Sequence, residues 1–208
     1  MKFIRLVILI ILSLAAVESH TGLKFKQIKV QDGLSQSWVK CIYQDSYGYL
    51  WFGTAEGVNK YNGCDFRLYK NDPGDNKTLS NNLVNVIFED SSGNLWVGTQ
   101  SGINIYDRVK DHFNRYPELQ EEYINDFIEL NDGRIIVAYN AGMSVLYPSG
   151  DSVNTADGLD SLVNRFPMVS ASDLLQDKKG NIWIASYYGV YLLDLSNRKL
   201  TLFELDKK

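Results

Sequence analysis

The stretch IFEDSSGNLWVGTQSGINIYD, residues 87–107, decides the fold because the chain repeats it. Residues 42–62 match it at a uniform offset of 45 residues, keeping the aspartate, the tryptophan and the Gly-Thr pair in place. Two diverged copies occupy residues 127–147 and 174–194. The leading glycine of each copy stands at position 48, 93, 133 or 180, so the period is 45, 40 and then 47 residues. Such a period is typical of architectures in which each repeat is one supersecondary unit.

Within one period the residues predict four short strands. The runs VNVIFED, LWVGT, GINIYD and HFNRY are rich in β-branched and aromatic residues, and Gly, Asp, Asn or Ser lies between them. Both alternating sets in LWVGT are apolar or small, which indicates a sheet packed on both faces. We therefore predict an all-β fold of four four-stranded antiparallel β-propeller blades, at about residues 38–70, 83–117, 123–155 and 170–205.

The composition agrees with a packed globular chain. Of 208 residues, 45% are hydrophobic, and the chain contains 21 basic and 25 acidic side chains. These values exclude a disordered, collagen-like or coiled-coil chain. The slight acidic excess argues against a nucleic-acid partner, because binding to a phosphate backbone needs clustered lysine and arginine.

The first twenty residues predict export. Lys2 and Arg5 precede a short apolar run, residues 6–17, and small residues follow it. A helix of this run would measure about 18 Å, too short for the ~30 Å hydrocarbon core of a bilayer. We predict a signal peptide at residues 1–20, with an uncleaved anchor as the alternative, and a periplasmic mature chain at residues 21–208 that has no membrane span.

Export would permit a disulfide between Cys41 and Cys64, the two cysteines of the chain. Cys41 aligns with Val86 of the next copy, a position that suits a small buried hydrophobic side chain. Cys64 follows a glycine in a predicted turn. Two unpaired thiols are therefore the simpler interpretation.

The string D-x-x-G-x-L-W-x-G-T-x-x-G-[VIL]-N-x-Y, carried by residues 45–61 and 90–106, resembles the two-component regulator propeller repeat. Residues 25–45 also resemble the start of such sensor regions. The resemblance implies the periplasmic sensor region of a hybrid two-component histidine kinase of Bacteroides type, a group associated with sensing polysaccharide breakdown products. The third copy departs from the pattern because it lacks the tryptophan and the Gly-Thr pair.

A strand count predicts an incomplete ring. The innermost strands begin near Val39, Val84, Ile124 and Ala171. Five runs suit an outermost strand, namely residues 25–28, 66–69, 113–116, 152–155 and 200–205. In a ring closed by strand exchange, the N-terminal strand at 24–28 would serve as the outer strand of the last blade. The last blade here already has an outer strand, so the strand at 24–28 has no predicted partner in this chain.

We therefore expect an N-terminal fragment of a sensor that lacks the kinase and DNA-binding modules. Its exposed blade faces and unpaired edge strand would bind the remaining blades of the parent sensor, or would self-associate.

The sequence predicts no catalytic residue, no metal site and no cofactor. The repeat tryptophans suit wedges between blades, and the repeat aspartates suit turn caps rather than calcium ligands, because no D-x-D-x-D-G loop occurs. His20 and His112 are isolated, and no G-x-S-x-G motif is found. The kinase activity of the family would reside in parts absent from this chain.

Antiparallel order predicts one candidate binding end. If the strands of a blade are lettered A to D outward from the axis, the B-to-C and D-to-A connections of all blades lie at one end, here termed the loop face. Of the two ends, this one has the longer and more varied loops, and loops on a rigid scaffold often carry binding. Aromatic rings can cover apolar sugar faces while amides bond the hydroxyls. The predicted ligand-binding residues are Trp38, Glu56, Gln100, Tyr139, Asn140, Tyr187 and Tyr188.

Further candidates lie in the D-to-A loops and on the innermost strands. The loops contribute Asn82, Asn164 and Arg165. Asp126 and Asp173 align with the buried position of Cys41, so they either line a wet central channel or contact a polar ligand.

Three functions are compatible with these residues. The first is a sensor module that binds an oligosaccharide, which the repeats and the signal peptide favour. The second is a protein-binding propeller scaffold, which would bind no glycan. The third is a fragment of a propeller lyase or glycosidase, which would need an acid and a base converging on the loop face.

Overall fold

The computed structural model of the protein describes residues 25–117, 119–148, 159, 163 and 171–203, which form four antiparallel sheets. Blade 1 contains β1 (Val39–Gln44), β2 (Leu50–Thr54), β3 (Gly57–Tyr61) and β4 (Phe66–Tyr69). Blade 2 contains β5 (Val84–Glu89), β6 (Leu95–Thr99), β7 (Gly102–Asp107) and β8 (His112–Arg115). Blade 3 contains β9 (Ile124–Glu129), β10 (Ile135–Tyr139) and β11 (Gly142–Leu146). Blade 4 contains β12 (Ala171–Gln176), β13 (Ile182–Ser186), β14 (Gly189–Asp194) and β15 (Lys199–Phe203).

The four sheets confirm the predicted all-β propeller blades. The innermost strands β1, β5, β9 and β12 begin at the predicted residues and lie beside one another in chain order. Blade 3 shows three strands, and the outer strand predicted at 152–155 lies outside the described residues, as does the signal peptide predicted at 1–20. Among the described residues, no helix has the length and apolar character needed to cross a membrane.

The repeat aspartate ties the turn between the two inner strands to the tryptophan of the second strand. In blade 1, Asp45 Oδ1 accepts hydrogen bonds from the backbone of Tyr47 and Tyr49 at 3.1 and 2.9 Å. Asp45 Oδ2 accepts one from Trp51 Nε1 at 2.9 Å. The equivalent aspartate–tryptophan bonds in blades 2 and 4 measure 2.8 and 3.2 Å. Gly48 closes the turn with a φ of 86°, a conformation that favours glycine.

The glycine of the W-x-G-T motif allows the blades to converge toward the axis. A Cβ at Gly53 would lie 2.4 Å from Cys41 Sγ and 2.7 Å from a methyl group of Val84 in the next blade. At Gly98 it would lie 2.6 Å from the side chain of Ile124. Any larger side chain would therefore force apart the innermost strands of adjacent blades.

Three apolar clusters hold neighbouring blades together. Between blades 1 and 2, Trp51 packs with Val84, Leu95 and Phe113, and its side chain is 0% exposed. Trp96 takes the same position between blades 2 and 3 and is 1% exposed. A third cluster joins blades 3 and 4. The tryptophans of the first two blades therefore act as wedges between sheets.

Among the described residues, the four blades do not close into a ring. No apolar cluster among the described residues contains side chains of both blade 1 and blade 4. Of the strand predicted at 24–28, the described residues 25–28 pair with no strand, and a single 3-10 turn follows at Val30–Asp32. Ile28 instead packs against Leu34 and Phe52 on the outer face of blade 1.

Both cysteines are free thiols. Cys41 packs at the interface between blades 1 and 2, and burial raises the pKa of its thiol to about 12. Cys64 is exposed in the turn between β3 and β4. Of the two interpretations, a disulfide or two unpaired thiols, the structure shows two unpaired thiols.

Candidate functional site

Every innermost strand carries a β-bulge near its start, at the loop face. In blade 1 the pairing skips one residue between Val39 and Cys41, and β5, β9 and β12 show the same shift. A bulge leaves its extra residue unpaired and changes the direction of that side chain. The extra residues are all polar: Lys40, Asn85, Asn125 and Ser172.

Polar side chains at these bulges link successive blades in what we term the axial network (Lys40, Asn85, Tyr123 and Asn125). Lys40 Nζ donates hydrogen bonds to Asn85 Oδ1 at 2.6 Å and to the Tyr123 hydroxyl at 3.1 Å. Asn85 and Asn125 in turn donate to backbone carbonyls of the next blade at 2.9 and 2.7 Å. This network crosses three blade boundaries at the inner end of the loop face.

Three of the four predicted aromatic side chains are exposed at the loop face. Trp38, Tyr187 and Tyr188 are 64%, 85% and 67% exposed. The Trp38 ring lies beside the axial network, with its centroid 5.9 Å from Lys40 Nζ. Tyr139 differs, because it packs against the cluster between blades 2 and 3, and burial raises the pKa of its hydroxyl. Trp38 and the tyrosine pair can therefore stack on a ligand, whereas Tyr139 supports the core.

The predicted polar residues occupy three B-to-C turns and are all exposed. Asn140 Oδ1 accepts a hydrogen bond from Asn125 Nδ2 at 3.2 Å, and this bond connects Asn140 to the axial network. Glu56 forms an exposed ion pair with Lys70 at 2.7 Å. Gln100 is anchored through its backbone N–H to the loop that enters blade 2. The structure thus brings Asn140 near the axis and leaves Glu56 and Gln100 at separate turns.

Of the three candidates predicted in the D-to-A loops, the structure describes Asn82 alone. Asn82 Oδ1 accepts a hydrogen bond from the backbone of Asn71 at 2.7 Å, and its carbonyl accepts one from Gly57 at 2.8 Å. Asn82 therefore fixes its own loop. Asn164 and Arg165 lie outside the described residues.

The threonine and asparagine of the repeat motif form a buried support beneath the loop face. Thr99 Oγ1 donates to the carbonyl of Gly102 at 3.0 Å and lies 2.9 Å from Ser80 Oγ. Asn104 Nδ2 donates to Ser80 Oγ at 3.0 Å, while its Oδ1 accepts from Ser80 N at 2.8 Å. The same arrangement in blade 1 joins Ser35, Thr54 and Asn59. These motif residues position the loops and do not reach the surface.

A polar cleft of about 550 Å³ opens on the loop face at the outer rim of blade 2. Ser101 from the B-to-C turn, Lys77 from the preceding loop and Gln120 from the following loop line it together with Tyr116. Arg115 holds the preceding loop in place through bonds to its backbone carbonyls at 3.0–3.2 Å. Sequence reasoning missed this cleft because its walls come from loops about one repeat apart.

Asp126 connects the innermost strands of blades 3 and 4. Its Oδ1 accepts a hydrogen bond from Phe127 N, and its Oδ2 accepts one from Leu174 N of blade 4, both at 2.8 Å. Burial raises the pKa of Asp126 to about 7, and the adjacent carboxyl of Asp173 contributes to this increase. Asp173 itself is exposed. Of the two predicted aspartates, Asp126 is therefore a link between blades and Asp173 remains accessible.

Asp126 should make the protein less stable as the pH rises from about 4 to about 7. Because its pKa is raised in the folded state, the folded form binds more protons than the unfolded form in this range. Its stabilising contribution is complete below the unfolded pKa and is lost as the pH rises through about 7. Urea unfolding at about pH 4.5 and about pH 8 should show a larger loss for the wild type than for Asp126→Asn. Equal losses in both proteins would contradict this assignment.

The fold and the loop face together define the class of protein: a set of β-propeller blades whose loop end carries exposed aromatic rings beside amide and ammonium groups. Residues 33–56, 78–101 and 166–188 match the two-component regulator propeller family, so the chain contains repeats of this family. Blade 3, which lacks the tryptophan and the Gly-Thr pair, lies between the matched segments.

A curated relative supports the same family. Histidine kinase P4 of Formosa agariphila is 41% identical over 69 residues, which make up 33% of this chain and 5% of the relative. The chain therefore spans a small part of the length of that kinase.

Solved structures share the fold. An extracellular domain assigned to a hybrid two-component system of B. thetaiotaomicron superposes with a TM-score of 0.64 at 22% identity, covering 81% of this chain and 25% of that one. A second such domain from B. thetaiotaomicron gives 0.52 at 23% identity, with coverages of 85% and 31%. Virginiamycin B lyase of Staphylococcus aureus gives 0.58 at 14% identity, with coverages of 84% and 58%. These similarities establish the propeller fold.

Proposed function

We propose that this chain is the ligand-sensing propeller segment of an exported hybrid two-component sensor and that its loop face binds an oligosaccharide. The shared repeats and the 41% identity to a histidine kinase support the sensor role. The observation that carries the ligand assignment is the exposed Trp38 ring standing beside the axial network. In this proposal the chain binds a ligand and catalyses no reaction.

The chemistry of these groups suits a sugar. An exposed indole ring can cover the apolar face of a pyranose, and hydroxyl groups need both donors and acceptors at fixed positions. Lys40 Nζ uses two of its three N–H groups on Asn85 and Tyr123. The Tyr123 hydroxyl accepts from Lys40, which leaves its own proton available for a ligand. Tyr187 and Tyr188 offer a second stacking site on blade 4.

The loop face is also suited to report binding, because its hydrogen bonds cross from blade to blade. Gly57 N donates to the carbonyl of Asn82, and Gly102 N donates to that of Glu122, both at 2.8 Å. A ligand that contacts two blades would favour the blade arrangement that binds it best, and a ligand can shift an equilibrium only through such differential contacts.

Trp38→Ala and Tyr188→Ala should each weaken oligosaccharide binding by about 1–3 kcal/mol, or roughly 5- to 150-fold in Kd, because each removes an exposed stacking ring. Isothermal titration calorimetry with defined neutral and uronic-acid oligosaccharides would measure this. Thermal unfolding should be unchanged, since both side chains lie outside the core.

Val109→Ala is the matched control. Val109 is 94% exposed in the β7–β8 turn, at the end of the blade opposite the loop face, so its removal should leave affinity unchanged. If both loop-face variants retain wild-type affinity, or if the wild type binds none of the oligosaccharides, the proposed ligand role is wrong.

A further inference from the structure

The polar cleft at the outer rim of blade 2, here termed the rim cleft, has one wall formed by a long loop. The β4–β5 connection, residues 70–83, is longer than the β8–β9 connection, residues 116–123. Arg115 holds the longer loop by donating to four of its backbone carbonyls, and Thr78 Oγ1 donates to the carbonyl of Asp75 at 2.7 Å. This wall is therefore ordered before a ligand arrives, which lowers the entropic cost of binding. The lining side chains that the argument uses are Asn76, Lys77, Ser101, Asn114, Gln120 and Glu121.

The second wall of the rim cleft is a tight turn in a strained conformation. Leu119 and Glu121 have φ values of 58° and 69°, in the left-handed region that residues other than glycine rarely adopt. Hydrogen bonds hold this turn: Glu122 N donates to the carbonyl of Leu119 at 3.3 Å, and the carbonyl of Glu122 accepts from Gly102 N at 2.8 Å. Such strain persists only where the surrounding structure imposes it, and it is concentrated at functional sites such as ligand clamps.

The rim cleft presents hydrogen-bond donors that the protein positions without using them fully. Lys77 Nζ donates to Asn114 Oδ1 at 2.9 Å, which leaves two N–H groups of the ammonium and both N–H groups of the Asn114 amide. Ser101 Oγ accepts from Asn81 Nδ2 at 3.2 Å and keeps its own proton. Each of these groups can donate to a ligand and retain its contact with the protein.

Acceptors line the same cleft. The side chains of Asn76, Gln120 and Glu121 form no hydrogen bond among the described residues, and all three residues are exposed. Tyr116, the one aromatic residue of the lining, packs against the core, with its ring centroid 5.3 Å from that of Trp96. The rim cleft therefore offers hydrogen bonds of both kinds and no exposed ring on which a ligand could stack.

The charges around the rim cleft favour a neutral ligand. Lys77 and Glu121 contribute one charge of each sign. Arg115, the other charged residue of the lining, is bound to the loop that also carries Asp72 and Asp75. The site therefore has no excess of free positive charge with which to select an anion. Hydroxyl groups both donate and accept, so a neutral ligand rich in hydroxyls matches these side chains.

We propose that the rim cleft is a second carbohydrate site, which binds a neutral sugar through its hydroxyl groups. Its volume of about 550 Å³ lies within the usual range of small-molecule sites. The ligand class rests on the proposed function, whereas the location depends on neither Trp38 nor the axial network. The two sites are complementary in chemistry, because one stacks on a sugar face and the other bonds sugar hydroxyls.

NMR titration of the ¹⁵N-labelled full chain tests the proposal, because the Asn114 side-chain amide reports the rim cleft and the Trp38 indole N–H reports the stacking site. The probes are neutral trisaccharides of glucose, mannose, galactose and arabinose, and a trisaccharide of galacturonic acid. A neutral probe should shift both signals in the wild type. The double variant Asn76→Ala/Gln120→Ala should raise the Kd read at Asn114 by roughly 3- to 10-fold through lost hydrogen bonds, and it should leave the Trp38 curve unchanged.

Gln44→Ala is the matched control, since it removes an amide from an exposed residue at the end of β1 opposite the loop face, and it should change neither curve. A Trp38 signal that shifts while Asn114 does not would overturn the rim site and leave the proposed function standing. An Asn114 signal that shifts alone would support the rim site and remove the role proposed for Trp38. A shift at Asn114 with galacturonic acid only, an unchanged Kd in the double variant, or no shift with any probe would overturn the proposal.

Discussion

Trp96→Ala should lower the free energy of unfolding by roughly 3–5 kcal/mol. The Trp96 side chain is 1% exposed and lies between blades 2 and 3, so its removal opens a cavity that the two sheets cannot close without moving. The substitution also removes the indole donor that bonds Asp90 at 2.8 Å. Urea unfolding followed by circular dichroism would measure the loss.

Trp183→Ala provides the matched comparison within the same chain. Trp183 has the equivalent register position and donates to the equivalent aspartate, Asp177, but no described sheet covers its outer side and it is half-buried. Its loss should cost less than half as much, because less apolar surface leaves the core. Equal effects for the two variants would contradict the blade order described above.

Asp45→Ala should lower the free energy of unfolding by about 2–4 kcal/mol, because it leaves a partly buried charge and several donors without their acceptor. The Asp45 side chain is 0% exposed and accepts a bond from Arg108 Nη1 of blade 2 at 2.8 Å. Burial alone would raise the pKa of Asp45, but the bonds from Arg108 and Trp51 outweigh it and hold the pKa below its ordinary value.

Asp177→Ala is the corresponding control. Asp177 caps the equivalent turn of blade 4 and bonds Trp183, but it has no arginine partner among the described residues. We expect a loss of about 1 kcal/mol, the usual contribution of a hydrogen-bonded turn cap. If Asp177→Ala proves as costly as Asp45→Ala, the ion pair between blades 1 and 2 contributes nothing to stability.

Most of the fold could be predicted because its determinants are local and repeated. The alternation of apolar and polar residues in the strands and the glycines in the turns recur every 40–47 residues. From this repeat, the starts of the four innermost strands were predicted correctly. The repeat pattern also predicted Trp51, Trp96 and Trp183 as wedges between blades. Trp51 and Trp96 are buried between two sheets, whereas Trp183 is half-buried. Residues 25–28 were expected to lack a strand partner within this chain, and among the described residues they pair with no strand.

The candidate site could be predicted less completely because its contacts join distant segments. Lys40 and Tyr123 are 83 residues apart, and no local pattern records their hydrogen bond. A signal for the bulges was nevertheless present: the buried residues Val84 and Ile87 are three positions apart instead of two, with polar Asn85 between them. Exposed loop residues such as Tyr188 were predicted because the antiparallel order alone assigns them to an end of the blade.

The central claim is that the loop face binds the ligand, and hydrogen–deuterium exchange with and without the tightest-binding oligosaccharide tests it most directly. We predict slower exchange in peptides covering residues 36–40, 121–125 and 187–190, which contain the axial network and the exposed rings. Peptides over the aspartate turns at residues 45–49, 90–94 and 177–181, at the opposite end of the blades, should exchange as in the free protein. Protection confined to those turns, or no protection anywhere, would contradict the account.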